Sequence, residues 1–89
     1  MSSMPGSPTV SADPAAIDAE LRALHGARGD PTAAARLSTL HEAAAGLTEG
    51  AAARFHLTHA WVHALEAGDP RRAARVERLL RDAGGLGLP

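Results

Sequence analysis

This sequence predicts an all-α protein of two antiparallel helical hairpins, four helices in all. Alanine makes up nearly a quarter of its 89 residues and valine and isoleucine are scarce, a composition that favours helix over strand. Asp-Pro occurs three times, at Asp13-Pro14, Asp30-Pro31 and Asp69-Pro70, each time ahead of an alanine-rich run. No segment alternates apolar and polar residues with period two, so no strand is expected.

Each Asp-Pro reads as a helix start. The aspartate carboxylate accepts from the free N–H groups of the first turn. Proline suits the first helical position, where its missing donor costs nothing. A fourth start is expected at Thr48, with Glu49 favourable to the positive end of the helix dipole. Glycines mark the ends, at Gly26 or Gly29, Gly46, Gly68 and Gly84-Gly85. The helices expected are 14–26, 31–45, 49–67 and 70–83.

Apolar residues recur at helical spacing in each. The first helix offers Ile17, Leu21 and Leu24, and the second Ala34, Leu37, Leu40 and Ala44. The third offers Leu57, Trp61 and Leu65, flanked by Phe55, Thr58 and Val62, and the fourth Ala73, Val76, Leu80 and Ala83. Residues 1–13, rich in Ser, Pro and Gly, are expected to be a disordered tail, and 84–89 a flexible one. Leu86 and Leu88 on that C-terminal stem could fold back over the bundle or dock on a neighbour. Met4 offers a second start besides Met1.

The chain repeats itself. "GDPTAAARLSTL" at 29–40 aligns with "GDPRRAARVERL" at 68–79, so that one unit is a helix, a Gly-Asp-Pro turn and a second helix. A period of about 40 residues is that of helical solenoid repeats. "ALEAGDPRRAARVERLL" resembles the second half of a tetratricopeptide repeat. In that family a Gly-Asp turn joins two antiparallel helices, and a small residue early in the second helix, here Ala73 and in the first copy Ala34, lets them approach. The resemblance covers residues 16–83 and implies a tetratricopeptide-like scaffold that binds proteins or peptides. "LTHAWVHALEAGD" is also similar to segments of short uncharacterised bacterial proteins, a resemblance that carries no function.

Three of the five histidines fall within "HLTHAWVH", 56–63. His56, His59 and His63 span an arc of about 60° on the third helix, with Glu66 just beyond. The leading expectation is the polar, wet face of a helix. A second is a face packed on the first helix or on a partner. A third is a metal site. Histidines four apart can turn their nitrogens to one divalent ion. That site would use His59 and His63, with His56 or Glu66 as a third ligand and His41 of the second helix as a fourth.

The fourth helix carries Arg71, Arg72, Arg75, Arg78 and Arg81. Arg71, Arg75 and Arg78 share a face, which suits an acidic protein surface or, less well, nucleic acid. The formal net charge of −1 gives no global basic character, and no lysine or interleaved aromatic accompanies the arginines. Trp61 is a core residue or an interface anchor.

With no cysteine, thiolate metal sites and cysteine nucleophiles are excluded. Ser38 and Thr39 lack nucleophile-elbow glycines, and no phosphate-binding glycine loop is present. No enzyme activity and no cofactor are expected. The N-terminus lacks a secretory pattern and no apolar run reaches membrane length. The reading is a small cytoplasmic interaction module that binds a protein partner or itself through Trp61, Arg71, Arg75 and Arg78. Metal binding is the alternative, and weak nucleic-acid binding the third.

Overall fold

The computed structural model describes residues 13–27 and 29–84. Four α-helices run in order: α1 Pro14–Leu24, α2 Pro31–Gly46, α3 Gly50–Glu66 and α4 Pro70–Asp82. Among the described residues there is no strand. The all-α, four-helix expectation holds. The expected tails, Leu86 and Leu88 included, lie outside the described residues except for Asp13 and Gly84.

The three Asp-Pro starts are real caps. Asp13 accepts from the N–H of Ala15 at 3.1 Å, Asp30 from Thr32 at 2.9 Å and Asp69 from Arg72 at 3.0 Å. The fourth start differs from expectation. Thr48 does not open α3. Its hydroxyl donates back to the carbonyls of Ala44 and Ala45, at 3.0 and 3.3 Å, closing α2 instead. The orphan carbonyls of α2 lie within reach of the hydroxyl. Helix α3 therefore begins at Gly50, at φ +60, and its preceding residue Glu49 makes no side-chain cap. Helix α1 also stops short of 26: a 3₁₀ turn, His25–Ala27, tightens its end.

Each helix packs on the next: α1 on α2, α2 on α3 and α3 on α4. The pairs are antiparallel. Ile17 meets Leu40 while Glu20 reaches Arg36, so that advancing along α1 moves backward along α2. Two small apolar clusters stand out in the core of the described residues. Ile17, Leu40 and Ala44 form one, under Leu21 and Leu24. Ala45, Leu57, Ala60, Val76 and Leu80 form the other, with Trp61 and Ala83 against it. Helix α2 is shared by both.

The close crossing of α2 and α3 depends on small residues. Ser38 and Ala60 are both fully buried, and the Ser38 hydroxyl donates to the Ala60 carbonyl at 2.7 Å. Polar ties span other pairs. Arg36 grips Glu20 through two nitrogens, at 2.6 and 3.0 Å. Glu42 of α2 accepts from both Arg72, at 3.0 Å, and Arg75 of α4. Such half-exposed pairs contribute about 0–1 kcal/mol each, so they set orientation more than stability.

Helix α3 corrects the expected apolar stripe. Leu57 is buried, but Leu65 and Phe55 are 54% and 56% exposed. The buried arc runs through Leu57, Ala60, His63 and Ala64. Helix α3 lies between α2 and α4, so its buried surface faces two neighbours rather than one. Among the described residues no helix is long and apolar enough to cross a membrane.

Candidate metal centre

The Ser38–Ala60 crossing sets His41, one turn further along α2, over the histidine face of α3. Its ring centroid lies 5.3 Å from that of His56, 5.0 Å from His59 and 5.5 Å from His63. His41, His59 and His63 each offer one ring nitrogen, and the three nitrogens lie within 4.8 Å of one another. Nitrogens around a tetrahedral zinc ion, at about 2.0–2.1 Å from it, lie about 3.3 Å apart. The three rings thus need to converge by only about 1.5 Å, within the range of small side-chain rotations.

The stripe is not the wet side of a helix. His63 is 2% exposed, and His41, His56 and His59 are half-buried. His63 is satisfied locally: its Nδ1–H donates to Oε1 of Glu66 at 2.6 Å. A carboxylate only accepts, so this bond fixes the ring's tautomer and leaves Nε2 for another contact. Nδ1 of His41 and Nδ1 of His56 are 3.0 Å apart, so that one ring donates and the other accepts. Burial, together with the neighbouring His59, His56, His63 and His25, pushes His41 down to about 3. Burial also lowers His56. His41 is therefore neutral at physiological pH, the state in which imidazole binds metal.

Glu66 and His56, expected as ligands, are placed instead as hydrogen-bond partners of His63 and His41. Such outer contacts orient ligating histidines and raise their basicity. Phe55 lies over His59, with centroids 4.4 Å apart. An open cleft of about 390 Å³ adjoins the rings, and all five histidines of the chain line it, with Leu21, Leu37 and Phe55 among its walls.

No protein-family model, curated protein or solved structure matches this chain.

The other sequence candidates sit away from the cleft. Trp61 is half-buried against the α2–α3–α4 cluster. Arg75 is held by Glu42, while Arg71 and Arg78 are exposed. Arg72 and Arg81 also have carboxylate partners, Glu42 and Glu77. Sequence reasoning missed His25 and Glu42. His25 reaches the cleft through the fold of α1 on α2, and Glu42 meets its arginines 30 and 33 residues away. Neither pairing has a local signature.

Proposed function

We propose that this chain binds a divalent transition metal between α2 and α3 through His41, His59 and His63. The observation that carries the reading is the convergence of three histidine nitrogens from two helices within 4.8 Å. The Glu66 contact to buried His63 supports it, since that bond holds a ligating ring in place. An all-imidazole donor set suits zinc, nickel, copper or cobalt rather than calcium or magnesium. The test is zinc and nickel titration of the untagged protein, followed residue by residue by NMR. Saturation at one equivalent, with shifts centred on His41, His59 and His63 and lost in His59→Ala, is the expected result. Weak, non-saturating shifts spread over all five histidines would sink the reading.

A second reading, a small tetratricopeptide-like interaction module, draws on exposed apolar surface. Leu65 and Leu79 are 54% and 39% exposed. Burial of Ala34 and Ala73, each early in the helix after a Gly-Asp-Pro turn, agrees with the repeat resemblance. A cytoplasmic location belongs to this reading. It predicts a dimer or a complex by light scattering, weakened by Leu65→Asp. Nucleic-acid binding is the least supported, because Arg72, Arg75 and Arg81 already face carboxylates.

A further inference from the structure

We propose that the metal centre keeps one coordination position open to the cleft, and that this position takes a small carboxylate bearing an apolar substituent. The inference rests on the metal reading above and concerns what the bound ion would hold.

The protein supplies three ligands at the point of convergence. Of the two remaining histidines, Nδ1 of His56 is against His41, and His25 lines the same cleft from the exposed 3₁₀ turn but is not among the three whose nitrogens converge. Glu66 holds Nδ1 of His63, which leaves its Nε2 for an ion, and Nε2 of His41 is left in the same way when His41 is the donor to His56. Sites closed by four protein ligands are structural, whereas three protein ligands leave a position for water or an exogenous ligand.

The space beside the ligands fits such a molecule. The cleft is about 390 Å³, at the small end of the range for small-molecule sites. Three neutral imidazoles bring no charge of their own to the ion, which favours an anion in the open position. The neighbouring walls Leu21, Leu37 and Phe55 are apolar. An oxygen donor on the ion with a hydrocarbon body against those three side chains satisfies both features. Arg22, at the same cleft, is paired with Asp18 and adds little competing charge.

Cobalt(II) loading of the full chain tests this, because its visible bands report coordination. Azide, formate and benzoate are then titrated in turn. The expected result is that all three alter the bands and that benzoate binds about tenfold more tightly than formate, as burial of a phenyl group predicts. Phe55→Ala and Leu21→Ala should shrink that ratio and leave azide unaffected. Neither residue is fully buried, so the variants should fold. A saturable cobalt spectrum that azide does not change would overturn the proposal and point to His25 or His56 as a fourth ligand. An azide response with benzoate no better than formate would overturn the carboxylate assignment. Failure to take up cobalt at all is a different result. It would remove the metal reading itself, and this inference with it.

Discussion

Glu66 accepts a 2.6 Å hydrogen bond from Nδ1 of His63, one turn back on the same helix, and His63 is the most deeply buried histidine of the chain. One carboxylate thus satisfies a buried ring and aims its other nitrogen. Glu66→Ala should lower zinc affinity about 10–100-fold, the usual loss when the outer partner of a ligating histidine is removed. Competition with a chromophoric chelator measures it. The metal-free protein should also lose about 1–3 kcal/mol, because a buried N–H is left without an acceptor. Glu66→Gln, which keeps an acceptor oxygen, should lose less of both. Unchanged zinc affinity in Glu66→Ala would mean that His63 is not a ligand.

The crossing of α2 over α3 can be tested without metal. Ser38 is fully buried, and its hydroxyl reaches the Ala60 carbonyl. That carbonyl belongs to the interior of α3, so it is not orphaned when the hydroxyl is removed. Ser38→Ala should therefore cost only about 1 kcal/mol in urea denaturation. Ser38→Leu should cost more, about 1–3 kcal/mol, because the added atoms must push α2 away from α3 where the helices touch. It should also displace His41 and weaken zinc binding. Equal effects of the two variants on zinc would argue against the crossing as what positions the site.

What the sequence showed and what it hid follow from the range of the forces involved. The Asp-Pro caps were legible because a cap acts within three residues. The buried faces of α2 and α4 were legible because apolar spacing records them: Ala34, Leu37, Leu40 and Ala44 are all buried, as are Ala73, Val76 and Leu80. Helix α3 misled because it packs on two sides. Its buried arc holds Leu57, two alanines and one histidine, while the large apolar side chains of Phe55 and Leu65 point out. Thr48 looks like a start in the sequence because a threonine suits either helix end, and only the fold shows which carbonyls it meets. The i, i+4 spacing points to His59 and His63, and His41 enters only as a fourth ligand from the neighbouring helix. That His56 and Glu66 act as their partners depends on ring directions, which spacing does not carry.

Two glycines should respond to alanine in opposite ways. Gly68 has φ +72 and ends α3 in a Schellman turn, in which Asp69 N–H meets the Ala64 carbonyl and Gly68 N–H that of Leu65, both at 3.0 Å. Nothing lies within 4 Å of an added Cβ, so the cost of Gly68→Ala is conformational, about 1–2 kcal/mol. Gly46 ends α2, has open space around it and is not among the positive-φ glycines. Gly46→Ala should stabilise by about 0.5–1 kcal/mol, by narrowing the unfolded ensemble. Thermal denaturation of the pair checks both signs. A loss of stability in Gly46→Ala would contradict the helical backbone at that position.

Acid should weaken the metal-free fold well before the carboxylates titrate. In the unfolded chain His41 takes up a proton near pH 6.5, whereas in the folded protein its burial delays that to about 3. Between these values the unfolded state binds more protons, so stability falls as pH falls. It is fully present above pH 6.5 and the loss levels off below about 3. Burial of His56 acts in the same direction. Glu20 adds a later loss. Its hydrogen bond to Arg36 lowers its affinity for protons, so that contribution disappears as pH drops below the ordinary carboxylate value of 4.5. Urea midpoints of the metal-free protein should therefore decline from about pH 7 to about pH 5. His41→Gln should flatten most of that decline and leave below pH 4.5 the loss that Glu20 contributes. A flat wild-type profile over that interval would show that His41 titrates normally in the fold, and that its ring is less enclosed than the α2–α3 packing makes it.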